Sequence, residues 1–314
     1  MTRLATVLGG ILVTAVFLHF QGLPHEDLFL REYIAWQLRL PRLLAGLTTG
    51  AILGAAGASY QILFGNSLAS PSTVGTMGGA MLGVALYATG LVSFLPPVVL
   101  ALIGGLGVSL LLMSWVVLGK LSEHELVLGG IALSLGAGAL CTGLQTLLDA
   151  EGALMLTQWS LGHLEQVGFD GVILLAIAMM AMLGGLLYDQ RKWQILVLGE
   201  EWAKSHGIDP RPVQLRTLGF SALGVAVSVA LCGPITFVGL LAPHLCRFFI
   251  RGQLHRLVPA SAAAGAVGLS ICDALAHLIS SSGAASQIPV GAISGAIGAP
   301  LLILLMLKRD PDHG

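Results

Sequence analysis

The chain has 314 residues, of which 55% are hydrophobic and only 10% charged, with a formal net charge of −1. A soluble domain carries roughly 25% charged residues, so this composition excludes an ordinary water-soluble domain. It leaves one integral membrane domain over 1–314 with no room for a large soluble one. The small net charge rules out neither sign of partner, and no nucleic-acid partner is expected.

A membrane-crossing helix needs about 20 mainly apolar residues. In chain order the sequence predicts an all-α bundle of about ten spans: 4–21, 41–62, 73–92, 95–118, 126–148, 171–188, 215–233, 235–250, 257–279 and 290–307. The first follows Arg3 but is longer than a signal-peptide core, with no A-x-A site before Pro24, so it is read as a retained span. The third and eighth contain helix breakers, and one of them is expected to be re-entrant or a half helix. With the N-terminus in the cytoplasm, twelve of the 15 Lys and Arg fall inside, and only Arg31, Arg39 and Arg42 fall outside. That bias predicts an even number of spans with both termini cytoplasmic.

Glycine is abundant, at 42 residues, which suits closely approaching membrane helices. Gly46, Gly50 and Gly54 in the second span form a GxxxGxxxG packing edge. The fifth span carries another stripe. Ser134, Gly138, Thr142, Gln145 and Asp149 recur at spacings of three or four, giving one small or polar face on a helix otherwise rich in Leu, Ile and Ala. That face either packs on another helix or lines a translocation path.

Between the sixth and seventh spans lies Leu198-Gly199-Glu200-Glu201-Trp202-Ala203-Lys204-Ser205-His206-Gly207. Acidic residues suit a helix start, and Gly207 suits a left-handed stop. A helix of about two turns is marginal alone in water, so it is expected to dock, with Trp202 and His206 on one face. The run Gly233-Pro-Ile-Thr-Phe-Val-Gly-Leu-Leu-Ala-Pro-His-Leu-Cys-Arg247 predicts a broken helix. Lipid offers no partner for freed backbone groups, so protein or a water-filled cavity must shelter them.

Several chemistries are missing from the sequence. No lysine follows the glycine spacing of a P-loop, and no HExxH, GxSxG or paired-cysteine metal spacing occurs. Cys141, Cys232, Cys246 and Cys272 read as small core residues. Neither enzyme activity nor a bound metal or cofactor is expected. Energy for transport would come from an ion gradient or a separate ATPase. The spans hold almost no ionisable groups, Asp273 being the main one, which favours the ATPase over an ion-coupled secondary carrier.

Five motifs in order carry a family resemblance along nearly the whole chain. They are Arg39-Leu-Pro-Arg42; Gly65-Asn-Ser-Leu-Ala-Ser-Pro71 with Gly75; Leu198-Gly199…Ala203…Gly207; Gly233…Arg247; and Pro289-Val-Gly291…Gly298-Ala-Pro300. The chain resembles the FecCD-type permeases of ABC importers, which carry iron–siderophore, haem or cobalamin. The resemblance implies a bacterial or archaeal cytoplasmic membrane, a second permease copy or homologue, two ATPase subunits using ATP, and an extracytoplasmic binding protein. It implies a coupling helix with contacts from Gly199, Glu200, Glu201, Trp202, Ala203 and Gly207. Arg39 and Arg42 match family arginines that receive glutamates of the binding protein. A third family arginine is replaced here by His277, in Asp273-Ala-Leu-Ala-His277. The fifth-span stripe, Ser134 to Asp149, matches a span the family uses for its pathway. An iron chelate is the expected cargo, with cobalamin or haem as the alternative.

Overall fold

The structure is a computed structural model that describes residues 2–21, 28–118, 123–250, 253–281 and 287–307. Among these residues it is helical, with no strand. The chain runs through α1 (Thr2–His19), α2 (Leu28–Tyr33), a π-helical turn (Ile34–Arg39), α3 (Leu40–Leu63), α4 (Thr76–Ala88), α5 (Pro97–Leu118) and α6 (Glu123–Gln145). It continues through α7 (Ala150–Ser160), α8 (Phe169–Tyr188), α9 (Gln190–Leu196), α10 (Glu200–Ser205), α11 (Pro210–Cys232), α12 (Val238–Phe249), α13 (Leu257–Ser281) and α14 (Val290–Leu307).

Six described helices are long and apolar enough to cross a membrane: Leu28–Leu63, Pro97–Leu118, Glu125–Gln145, Phe169–Tyr188, Pro210–Cys232 and Leu254–Ser280. Four shorter apolar helices, Leu4–His19, Thr76–Ala88, Val238–Phe249 and Val290–Leu305, fall on the remaining expected spans. The expected third and eighth spans are the shortest, at 13 and 12 residues. At 1.5 Å per residue each reaches only about 20 Å, short of a hydrocarbon core of about 30 Å. The cause is local. Gly65 and Gly75 take left-handed backbone before α4, and Gly233 and Phe237 do so before α12.

The centre of the bundle is α3, buried along most of its length. Its glycine edge works as the spacing predicts. A methyl on Gly50 would sit 2.3 Å from the Gly265 carbonyl oxygen, and one on Gly54 would sit 2.1 Å from that of Ser261. The α3 and α13 backbones therefore touch. The edge continues beyond the predicted triplet, because a methyl on Gly57 would meet the Gly239 carbonyl oxygen of α12 at 1.7 Å. Cys141, Cys232 and Cys246 are buried free thiols and Cys272 is half-buried.

The helix break at 233–237 is sheltered by protein. The Cys232 carbonyl accepts the His163 N–H at 2.7 Å, and the Thr236 carbonyl accepts the Val238 N–H at 2.8 Å. Ser294 Oγ of α14 adds a contact to the Thr236 carbonyl at 3.3 Å. The connecting residues 161–168 and α14 thus supply what lipid cannot.

Candidate functional site

The candidate site has two ends and an open face. α8 joins the ends. The 161–168 segment precedes it, Asp189 follows it, and its 20 residues span about 30 Å.

At the first end, Arg42 opens α3 and turns its guanidinium onto Asp273 of α13. Nε lies 3.0 and 2.9 Å from the two carboxylate oxygens, and Nη2 lies 2.8 Å from Oδ1. His19 at the end of α1 holds Oδ2 through Nε2 at 2.8 Å. Asp273 and His19 side chains are 1% and 2% exposed. A carboxylate this dry is tolerated because both oxygens are occupied and a cation sits beside it. Arg42 Nη1 faces Glu165 Oε1 at 3.3 Å, and Gln287 turns its amide NH2 to the same carboxylate. Burial pushes the Glu165 carboxyl above the usual range, Arg42 opposes this, and Asp273 adds to it. Arg39 Nη1 donates to the carbonyls of His19 and Gln21 at 2.7 and 2.6 Å, closing the last turn of α1. His277 is half-buried one turn after Asp273 on α13.

Both arginines expected to meet an outside carboxylate are therefore engaged within the chain. Beside Glu165 a cavity of about 710 Å³ is lined by Gln158, Trp159, His163, Gln166, Leu231 and Gln287, among others. That volume is within the range of small-molecule sites. Burial pushes the His163 imidazole down in pKa.

The stripe on α6 lies on an open face. Ser134 is partly buried, its Oγ bonding the Gly130 and Ser72 carbonyls at 2.9 and 3.0 Å. Gly138 has nothing within 4 Å of where a methyl would stand. Thr142 and Gln145 are exposed. Asp149 is a correction to the stripe, because α6 ends at Gln145 and a turn intervenes. Asp149 instead caps α7, accepting the Gly152 N–H at 2.8 Å.

At the second end, α10 is the short helix the sequence predicts. Gly207 is left-handed at φ 74°, with Gly207 N–H on the Lys204 carbonyl and Ile208 N–H on that of Ala203, a Schellman stop. Gly199 precedes the helix at φ 118°. Ala203 is fully buried against the body of the protein, while Glu201 and Trp202 are exposed. Trp202 is 53% exposed, and its ring packs at 5.1 Å against His206, the two planes tilted by 41°. The Glu200 side chain lies outside the described residues, as do both chain ends and several of the basic residues behind the orientation argument.

Sequence reasoning missed His19, Glu165, Asp189, Trp193 and Arg216. The signal available was position: each is a polar or amphipathic residue at the edge of an apolar run, where partners are common. Their pairings join residues up to 254 positions apart, and no spacing rule reports such contacts.

The fold and its two polar ends define a polytopic helical membrane protein. The chain belongs to the FecCD transport family, whose sequence model matches residues 3–308. It is 36% identical over 288 residues to the vitamin B12 import system permease protein BtuC of Vibrio cholerae serotype O1, covering 89% of this chain and 84% of that protein. A protein of Methanocaldococcus jannaschii described as an ABC transporter permease is 32% identical over 288 residues, covering 88% and 82%. Among solved structures, one described as the inward-facing conformation of a metal-chelate type ABC transporter superimposes with a TM-score of 0.85 at 26% identity, covering 97% of this chain and 99% of that one.

Proposed function

We propose that this chain is the membrane permease of an ATP-driven importer for a bulky metal chelate. One observation carries the reading. A rigid arginine-bearing end and an end presenting the exposed Trp202 of α10 stand at opposite ends of α8, and α6 contributes an open polar face. In this reading α10 sits in a groove of a cytoplasmic ATPase. The Arg39–Arg42 end, with His277, receives an extracytoplasmic binding protein. The α6 face, through Ser134, Gly138, Thr142 and Gln145, meets its counterpart on a second permease subunit across the pathway. The membrane is the cytoplasmic membrane of a bacterium or archaeon.

The pathway residues are mild and carry no basic ring, so specificity would reside in the binding protein. A ferric siderophore is the cargo the family resemblance first suggests. The names of the relatives bring cobalamin level with it, and both are metal chelates.

The test is uptake of labelled cargo by a strain lacking this gene, with ferric siderophores, cobalamin and haem measured in parallel. Trp202→Glu serves as the uncoupled control. Loss of one cargo, restored by wild type but not by a membrane-inserted Trp202→Glu, supports the reading and names the chelate. Uptake that persists after loss of every partner ATPase, or unaltered uptake of all three cargoes, overturns it.

A further inference from the structure

The second end contains a cluster that the proposed function leaves unused. Asp189 sits between α8 and α9, its side chain 1% exposed. It receives Arg216 Nε of α11 at 2.6 Å, Arg216 Nη2 at 3.0 Å, and Lys192 Nζ of α9 at 2.8 Å. Lys192 Nζ and the Arg216 guanidinium lie over the Tyr188 ring, at 5.2 and 5.8 Å from its centre. One turn further on, Trp193 is 1% exposed and donates Nε1–H to Thr217 Oγ1 of α11 at 3.1 Å. The next residue, Gln194, pairs through Nε2 with His255 Nδ1 at 2.8 Å, on the 3-10 turn Leu254–Arg256 that leads into α13.

Within the six residues 189–194 the chain is thus bonded to two elements besides its own, α11 and the turn before α13. α9 is continuous with α8, fastened to α11 twice, and fastened to the root of α13 once. α10 follows α9 after three residues, with Ala203 fully buried and α10 packed on both α9 and α11. A seven-residue helix has no stability of its own in water. Its fixed position comes from these bonds, two of them charge-assisted and formed by the paired nitrogens of one guanidinium.

We infer that α9 is a rigid clamp that makes α10 move as one body with α8, α11 and the start of α13, and that Asp189 is the positioning residue that holds it. The inference rests on the reading of α10 as the ATPase contact. Among the described residues α10 packs on α9 and α11, and a push on Trp202 reaches the spans through these contacts. With Asp189 neutralised, α9 loses its charge-assisted fastening to α11 and keeps only the Trp193 and Gln194 bonds, so part of the force on α10 is absorbed at the corner. Asp189 is 1% exposed and paired with Arg216, and acts through the geometry of its neighbours.

The test uses the complete importer in proteoliposomes, with three readouts: ATPase retained on purification, ATP hydrolysis, and cargo moved per ATP. For Asp189→Asn the ATPase remains bound and hydrolysis persists, while cargo per ATP falls by about 2- to 30-fold, the range of coupling energies carried by such networks. Asp189→Glu recovers part of the loss, which a generic folding defect would not. Should Asp189→Asn fail to insert, Trp193→Phe and Thr217→Val carry the test, since each removes the Nε1–Oγ1 bond while keeping the packing. Unchanged cargo per ATP in those variants, or hydrolysis and uptake falling in the same proportion, overturns the clamp. Wild-type chain that retains no ATPase overturns the proposed function itself, and the clamp with it.

Discussion

Arg42 and Asp273, 231 positions apart, meet as a fork on a carboxylate, with Nε and Nη2 of one against both oxygens of the other. The pair ties α3 to α13 where their glycine edges begin, and His19 brings α1 into the same knot. The guanidinium expected to face outward is thus first a structural cation.

Removing one partner of a buried ion pair leaves the other uncompensated, at a cost of about 3–5 kcal/mol. Asp273→Asn should lower stability by that order, read as a fall in the unfolding midpoint of the purified protein in detergent. Arg42→Lys, which keeps the charge but loses the fork, should fall between it and wild type. A change below about 1 kcal/mol for Asp273→Asn would contradict the role assigned to the knot, since that is the value of an exposed pair.

Glu165 presents the opposite case. Its side chain is 32% exposed, and burial raises its carboxyl pKa despite Arg42. The carboxylate loses more hydration than this single long contact, at 3.3 Å, returns. Glu165→Gln should leave stability within about 1 kcal/mol of wild type. It also frees Arg42 Nη1 for a carboxylate arriving from a binding protein. Titration of that protein onto the permease should give affinity raised by up to about 5-fold, the equivalent of 1 kcal/mol. Weaker binding would mean that Glu165 itself belongs to the docking surface.

Asp189 gives a pH dependence with a definite sign. Burial raises its carboxyl pKa, but hydrogen bonds from Arg216 and then Lys192 outweigh burial and hold it below the ordinary value. A group depressed in the folded state stabilises above its unfolded pKa, about 3.9 for Asp. That stabilisation is lost as pH falls through the lower, folded value. The Asp189 contribution should therefore be constant from pH 7 to 5, begin to fall near about pH 4, and be gone only below the lower, folded value. Asp189→Asn should be less stable at neutral pH and flatter across the acid limb. Parallel acid limbs for the two proteins would remove Asp189 as the cause.

Glycines at two places should respond in opposite ways. Gly57→Ala drives a methyl into the Gly239 carbonyl, so α3 and α12 must separate, at a cost of about 1–3 kcal/mol or more. Gly138→Ala meets nothing within 4 Å and removes a flexible residue from mid-helix, which stabilises by about 0.4–1 kcal/mol. Thermal unfolding of both variants checks the pair. Equal destabilisation would mean that the α6 face is covered rather than open.

Much of the architecture was legible in the sequence because apolar length and glycine spacing are local signals. The Gly46–Gly50–Gly54 edge, the left-handed stop at Gly207 and the break after Gly233 all follow from rules that act over a few residues. The polar clusters were not legible in the same way. Asp273 was visible as a lone acid in a span, but nothing near it in sequence points to His19 or Arg42. The position of Asp149 failed for a related reason. Four residues past Gln145 continues the helical period on paper, yet the helix has already ended and Asp149 opens the next one. Periodicity predicts a face only while the helix lasts.

The two ion-paired ends have a consequence for the lipid. Arginines at membrane edges ordinarily adjust to bilayer thickness by snorkelling, letting a helix ride higher or lower. Here Arg42 is bound to Asp273 and Arg216 to Asp189, at opposite ends of an α8 about 30 Å long. Neither guanidinium is free to follow a shifting headgroup plane. Hydrophobic mismatch must therefore be absorbed by stretching or thinning of the surrounding acyl chains. Reconstituted in a series of lipids of increasing chain length, the protein should show a narrow activity optimum at the length its two ionic collars dictate.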